Sequence, residues 1–422
     1  MQDAAERKNV EISSAGEVKR TFTFKEKLAA LGPGFLIVGS FIGPGTVTSS
    51  TKAGAGYGYE LLWCIIFSVI AVIVMQGMAA RLGVVTQKGL EENLLLDFAD
   101  RPVLRNLLVG LVVIAITIGG FAYMSGDLTG TALGVSALTG VPTSIIAPIW
   151  GLCILLILNF AGDAVKYLER LLGICVIIMA VVFVVTMIVV KPDLGALFSG
   201  CIPSVPDGSL MTCLSLIGTT VVPYNMFLHA ASSKRTWKGP DELPLCRFGT
   251  YIPMIIGDIV TGAIMISAAS VMHGMSVKNA MDMAIQLEPT LGSLAQPFMA
   301  IGLVAAGISS AVCTPMGVSY VLAGIFGWKT KRSDKRFTIT NAAVLITGIV
   351  IAGIGFNPIA LIMAAQAVNG IVLPVVVGVT LYLTSTHRVM GKYKNNNVQI
   401  VLGMIIFLIA LYLGLSSVIS LF

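Results

Sequence analysis

Between residues 32 and 422 the chain runs through one apolar stretch after another, most of them about 20 residues long or more. A helix needs about that length to cross the ~30 Å hydrocarbon core of a bilayer. Strands of a transmembrane barrel would instead alternate apolar and polar residues over about ten positions. A chain of 422 residues is long enough for two or three soluble domains. Composition excludes them: 56% of the residues are hydrophobic and only 11% are charged, against roughly 25% charged in a soluble domain. The sequence therefore predicts an all-α polytopic membrane protein whose first partner is the lipid bilayer.

Eleven spans are predicted, at 31–55, 60–82, 104–136, 143–161, 166–190, 209–232, 248–274, 291–326, 337–356, 358–386 and 397–421. Several exceed the ~20 residues needed, which implies tilt or an overhanging turn. The basic residues orient them. Arg7, Lys8, Lys19, Arg20, Lys25 and Lys27 precede span one. Arg81, Lys88, Arg101 and Arg105 follow span two, and Lys166 and Arg170 follow span four. Lys234, Arg235, Lys238 and Arg247 follow span six. Lys329, Lys331, Arg332, Lys335 and Arg336 follow span eight, and Arg388, Lys392 and Lys394 follow span ten. Of the 27 basic residues, 24 thus fall on one side, leaving Lys52, Lys191 and Lys278. Basic loops stay cytoplasmic, so the N-terminus is expected inside and the C-terminus outside, with a prokaryotic inner (plasma) membrane as the setting. The net charge of +6 then records orientation, not an acidic partner. About 30 mostly polar residues precede the first apolar run, so no cleavable signal peptide is expected. The seven cysteines show no CxxC pair or metal-ligand spacing and read as small packing residues.

Two spans carry helix breakers near their middles: Gly43-Pro44-Gly45-Thr46 in span one and Val222-Pro223-Tyr224-Asn225 in span six. Proline removes a backbone donor and clashes with the preceding turn; flanking glycines lower the remaining resistance to unwinding. A single such site would read as an ordinary proline kink. Two of them, each in the first span of a set of five, fit an inverted repeat with a transport site near the bilayer midplane. Unwound backbone there frees carbonyls for a cation, and half-helix ends add partial charges of both signs. The expected division is a cytoplasmic segment 1–28, a five-helix repeat 29–190, an extracellular loop 191–208, a second repeat 209–388 and an added helix 389–422.

At these residues the sequence resembles the Nramp family of divalent-metal transporters. Gly32-Pro33-Gly34-Phe35-Leu36 with Gly43-Pro44-Gly45-Thr46 is similar to the family's first helix. Leu61-Leu62-Trp63, Gln76 and Ala79-Ala80-Arg81-Leu82-Gly83-Val84-Val85-Thr86 resemble its second, the most specific match. Val221-Val222-Pro223-Tyr224-Asn225 with His229 resembles its sixth, and Gln366 with Pro374 its tenth. The resemblance covers residues 30 to 390 and implies the LeuT-type fold of two inverted five-helix repeats, with helices one and six broken. It also implies a secondary transporter working by alternating access. The departures from the family pattern fall on its metal site. Gly43 stands where the family has aspartate and Thr46 where it has asparagine. Val222-Pro223-Tyr224 stands where it has Met-Pro-His, and Gly130 replaces the second acid of a pair whose first is Asp127.

By this resemblance the substrate-binding set is Gly43, Thr46, Thr219, Val222, Tyr224, Asn225 and Gln366. The metal would meet Gly43, Thr46, Val222, Asn225 and Gln366, with the Gly43 and Val222 carbonyls taking part. Such a set offers dipoles and no formal charge, whereas a bare divalent ion is very costly to bury uncompensated. A partly hydrated Mg2+, which sheds water reluctantly, suits it better than Mn2+ or Fe2+, and loss of the thioether agrees with a harder ion. Asp127 and His229 are the proton or coupling candidates. Asp258 reads as a carboxylate tolerated near a helix N-terminus. The competing expectations are a small organic solute or acid on the same fold, and a receptor or scaffold without throughput. No phosphate-binding loop or nucleophile–base constellation is visible, so no enzyme activity, ATP, cofactor or nucleic-acid partner is expected.

Overall fold

The computed structural model describes residues 10–12, 18–20, 22–160, 164–330 and 334–419; the predicted inner charges Arg7, Lys8, Lys331 and Arg332 lie outside these. Two three-residue strands, β1 (Val10–Ile12) and β2 (Val18–Arg20), pair antiparallel with Val10 opposite Arg20. The elements described after them are all helical. The first pair is α1 (Phe24–Phe41) and α2 (Pro44–Tyr57). Next come α3 (Leu62–Thr86), the short α4 (Leu90–Asp97), α5 (Pro102–Thr139), α6 (Thr143–Phe160) and α7 (Ala164–Val189). A six-residue helix α8 (Leu194–Ser199) leads to α9 (Leu210–Thr220), α10 (Pro223–Thr236) and α11 (Leu243–Met272). The chain ends through α12 (Ala280–Ala284), α13 (Glu288–Leu291), α14 (Ala295–Phe326), α15 (Lys335–Gly353), α16 (Pro358–Ser385), α17 (His387–Met390) and α18 (Asn397–Ile419).

Among the described residues nine spans are long and apolar enough to cross a bilayer, and ten if the bent pair α1–α2 counts as one. The expected fourth span is the shorter apolar stretch Thr143–Leu158 within α6. Local chemistry sets the element ends. A capping box opens α1: Thr23 Oγ1 accepts the Glu26 N–H at 3.3 Å, and Glu26 accepts the Thr23 N–H at 2.7 Å. Pro44 and Pro223 each sit at the first position of a helix, where a missing N–H loses nothing. The same prolines therefore end one half-helix and begin the next.

Burial runs opposite to that of a soluble protein. The segment Leu210–Thr236 is 89% buried within its apolar window, whereas Lys335–Gly353 and Asn397–Ile419 are only 28% buried. From Pro44 to Thr51 every residue of α2 is buried, hydroxyls at 46, 48, 49, 50 and 51 included. The largely buried half-helices α2, α9 and α10 thus form the centre. The outer helices turn Ile339, Ile346, Val350, Val401, Leu408 and Leu415 outward, as lipid contact requires.

Equivalent contacts recur in the two sets of five spans. Helix α2 packs on α11 as α10 packs on α3, α5 packs on α16 as α14 packs on α7, and α5 and α14 pack on each other. Glycine makes the first pair possible. A Cβ on Gly54 of α2 would strike the Met265 carbonyl of α11, and one on Gly83 of α3 would strike the Ala230 carbonyl of α10.

Two sequence expectations are corrected here. Asp258 is not near a helix start: α11 begins at Leu243, about four turns earlier, so the macrodipole does not account for its carboxylate. Arg81 is not a loop charge. It lies within α3, is 6% exposed, and donates to Gln399 Oε1 at 2.9 Å and to Asn395 Oδ1.

Candidate functional site

The two breaks meet. Span one is interrupted at Ile42 and Gly43 and bends by 61°. Span six is interrupted at Val221 and Val222. Thr46 joins the breaks: its hydroxyl donates to the Phe41 carbonyl and lies 2.9 Å from Thr219 Oγ1. Asn225 joins them again, its Oδ1 accepting from Ser40 Oγ at 2.9 Å. The Asn225 amide nitrogen has no protein partner. The carbonyls expected to be free are partly occupied. Gly43 O accepts the Val47 N–H at 3.2 Å, and Val222 O accepts the Asn225 N–H at 3.1 Å. Each keeps a second lone pair.

Gln366 of α16 faces Gly45, close enough that a Cβ there would overlap its amide. Both polar atoms of that amide lack protein partners although the residue is fully buried. Tyr224 reaches the Asp127 side of the cluster. Its hydroxyl lies 3.1 Å from Thr314 Oγ1, and its ring meets Tyr123 edge-on at 6.0 Å. The Tyr123 hydroxyl donates to the Ser40 carbonyl at 3.4 Å.

Asp127 of α5 lies in the same cluster. Its Oδ2 accepts from Ser310 Oγ at 2.8 Å and from Thr314 Oγ1 at 3.0 Å, both on α14. Its Oδ1 is buried without a protein partner. Ser310 Oγ also reaches the Ser40 carbonyl at 3.3 Å. Thus Gly43, Thr46, Thr219, Val222, Tyr224, Asn225, Gln366 and Asp127 converge around the breaks. His229 does not join the Asp127 cluster. Its Nδ1 lies 3.0 Å from Gln76 Oε1 of α3, and its Nε2 lies 3.4 Å from Thr250 Oγ1 of α11. Sequence reasoning missed Ser40, Tyr123, Ser310 and Thr314. Only the 310/314 spacing, one helical turn, hinted that two hydroxyls share a face.

The donors are oxygen and amide groups. Among the described residues no group of three or more His, Cys, Asp or Glu side chains is placed to hold a metal. The side chains gathered at the breaks are hydroxyls and amides, with Asp127 as the carboxylate among them.

A sequence profile of the family described as Natural resistance-associated macrophage protein-like matches residues 34–420. The chain belongs to the Nramp family. The "Divalent metal cation transporter MntH" of Yersinia pestis (strain Pestoides F) is 28% identical over 404 residues, covering 94% of this chain and 96% of that protein. The same-named protein of Klebsiella pneumoniae (strain 342) is 28% identical over 397 residues, covering 92% and 94%. Among solved structures, the Eremococcus coleocola manganese transporter in complex with an aromatic bis-isothiourea substituted compound aligns with a TM-score of 0.78 at 23% identity, over 97% of this chain and 90% of that one. MhsT in complex with L-phenylalanine aligns at 0.55 and 15% identity, over 92% and 98%. This Nramp thus has the LeuT-type transporter fold. It is an integral membrane protein and, like its family, a transporter and not an enzyme.

On the side of the break toward the basic loops, α10 and α14 enclose a cavity of about 150 Å3 lined by Leu228, Ala231, Arg235, Cys313, Met316 and Tyr320. A second, of about 260 Å3, shares Ala231, Arg235 and Tyr320 and extends to Glu91 and Glu92 of α4. Arg235 stacks on the Tyr320 ring at 5.1 Å, and Lys234 pairs with Glu92 at 2.9 Å. Glu91 is 5% exposed, and burial pushes its carboxyl from 4.5 up to about 7. The unfolded chain therefore gives up this proton first, and stability falls as pH rises from about 4.5 through 7. The full penalty, about 3 kcal/mol, holds above that range. Glu91→Gln is expected to flatten the pH dependence of the unfolding temperature between about pH 5 and 8. An unchanged slope would remove Glu91 as its source.

Proposed function

We propose that the protein is a secondary transporter that carries a divalent cation by alternating access around the two breaks, and that its preferred ion is hard and partly hydrated, as Mg2+ is. The observation that carries the reading is the donor set itself: Thr46, Thr219, Asn225 and Gln366 supply uncharged dipoles where the family resemblance expects a carboxylate. A bare transition-metal ion would lack compensation for its lost water, whereas an ion that keeps several waters asks for few direct protein ligands, its waters hydrogen-bonding to the rest of the site. The Gly43 and Val222 carbonyls and the Tyr224 hydroxyl are assigned to those waters. His229, tied to Gln76 and Thr250, is assigned a packing role, which makes transport without proton coupling the simpler scheme. The basic-loop asymmetry supports an inner (plasma) membrane with the N-terminus cytoplasmic and the C-terminus outside. The equivalent packing of α2 on α11 and α10 on α3 supports repeats at 29–190 and 209–388.

The test is uptake by proteoliposomes containing the full chain. Saturable Mg2+ uptake with weaker Mn2+ uptake is expected. No flux of either ion, together with saturable uptake of an organic solute, would transfer the fold to the alternative substrate class. No flux of anything, with a protein partner copurifying, would favour a receptor.

A further inference from the structure

The carboxylate missing at position 43 has a spatial counterpart. A Cβ built on Gly43 would lie 3.6 Å from Asp127 Oδ1 and 3.4 Å from Ser310 Oγ. The space in which a helix-one aspartate would start is thus bordered by the oxygen of Asp127 that no protein group satisfies. Asp127 is 0% exposed. A fully buried carboxylate with an unmet oxygen is among the most expensive groups a membrane interior can hold, and such an oxygen calls for a partner that the protein does not supply.

We propose that Asp127 is a direct ligand of the transported cation, its Oδ1 delivering from α5 the negative charge that position 43 lacks. This rests on the divalent-cation reading above and names the charged ligand of that site. The geometry around the carboxylate is divided in a way that suits the role. Oδ2 is fixed by two hydroxyl donors one helical turn apart on α14, Ser310 and Thr314. Thr314 is steadied in turn by the Tyr224 hydroxyl at 3.1 Å. Holding one oxygen with two donors leaves the other oriented and bare, as a monodentate ligand must be. Its surroundings are oxygen-rich: the Ser40 carbonyl lies within reach of both Ser310 Oγ and the Tyr123 hydroxyl. A hard divalent ion bound there would take one charged oxygen and keep water on its remaining positions.

The alternative role for such a carboxylate is to carry a proton and leave the ion to the neutral dipoles. The two roles separate by experiment. Mg2+ binding to the full-length protein in detergent is measured by calorimetry, alongside Mg2+ flux into liposomes at several pH values, for wild type, Asp127→Asn and the exchange Gly43→Asp with Asp127→Asn. Wild type is expected to bind. Asp127→Asn should weaken Mg2+ at least about tenfold, and the exchange should recover most of the loss, because it returns a carboxylate to the same space from the other side. Wild-type affinity in Asp127→Asn overturns the assignment while leaving the transporter reading intact, more so if only the pH dependence of flux disappears. Failure of wild type to bind or move any divalent ion overturns both. Should Asp127→Asn not fold, Asp127→Glu serves: one added methylene displaces the free oxygen, and an unchanged Mg2+/Mn2+ affinity ratio would count against direct ligation.

Discussion

Restoring the two family residues of the first helix, Gly43→Asp together with Thr46→Asn, is expected to raise Mn2+ affinity at least about tenfold. Room for the first change exists: the nearest atoms to a Cβ at Gly43 are 3.4 to 3.6 Å away, ordinary contact distances. The added carboxylate would then confront Asp127 across the break. Without an ion, two like charges in a buried space repel, so the apo variant should unfold at a lower temperature than wild type. With an ion, the same two charges offset its desolvation. Binding to the folded state alone stabilises by mass action, about 2.7 kcal/mol at one hundred times the dissociation constant. The expected signature is therefore a lowered apo unfolding temperature and an unusually large Mn2+-dependent rise. Thr46→Asn must also replace the bonds Thr46 makes to Phe41 and Thr219, so the single Gly43→Asp variant separates charge from repacking. Unchanged Mn2+ binding in a folded double variant would argue that no metal enters at the breaks.

The two breaks are legible in the sequence because proline and glycine act locally. Pro44 and Pro223 each begin a helix, whereas Pro148, Pro253, Pro315 and Pro374 sit inside helices; what marks the two breaks is their corresponding positions in the two sets of five spans, which can be compared without knowing any contact. The span count comes from hydropathy for a similar reason: crossing lipid is a property of a continuous segment. What hydropathy does not register is how far a helix runs beyond the hydrocarbon. Span seven is expected to begin near residue 248 but starts at Leu243, and Asp258 consequently loses its helix-end explanation. The short helices α4, α8, α12, α13 and α17 escape sequence reading because they carry too few residues for a periodic signal. Arg81 counts with the loops in sequence because arginine ordinarily marks the cytoplasmic rim, yet Asn395 and Gln399, more than 300 residues away, satisfy it in place. The same long-range dependence hides the Asp127 cluster. Ser310 and Thr314 lie more than 180 residues from Asp127, and serines and threonines within apolar runs are common enough that no single one stands out.

Replacing Gly54 or Gly83 with leucine is expected to destabilise the protein by about 3 kcal/mol or more, with similar consequences at the two positions. At Gly83 a first side-chain carbon already meets the Ala230 backbone; at Gly54 it meets the Met265 carbonyl and comes within 2.7 Å of the Ala269 nitrogen. Backbone atoms inside helices cannot rotate aside as a flexible side chain can, so the helices themselves must separate. What they support makes the loss more than a packing defect. Gly54 seats α2 on α11, and Gly83 seats α10 on α3; α2 and α10 are the second halves of the two broken spans. Neither half-helix shares a continuous hydrogen-bond ladder with its first half, so lateral packing does more to position it than in an unbroken span. Gly110 of α5, where an added Cβ would meet nothing within 4 Å, provides the control: Gly110→Ala should be neutral or gain about 0.5–1 kcal/mol from helix propensity alone. Thermal unfolding in detergent reads all three. If Gly54→Leu and Gly83→Leu unfold with wild type and Gly110→Ala, these contacts do not hold the half-helices, and the breaks must be kept open by the polar bonds of Thr46 and Asn225 instead.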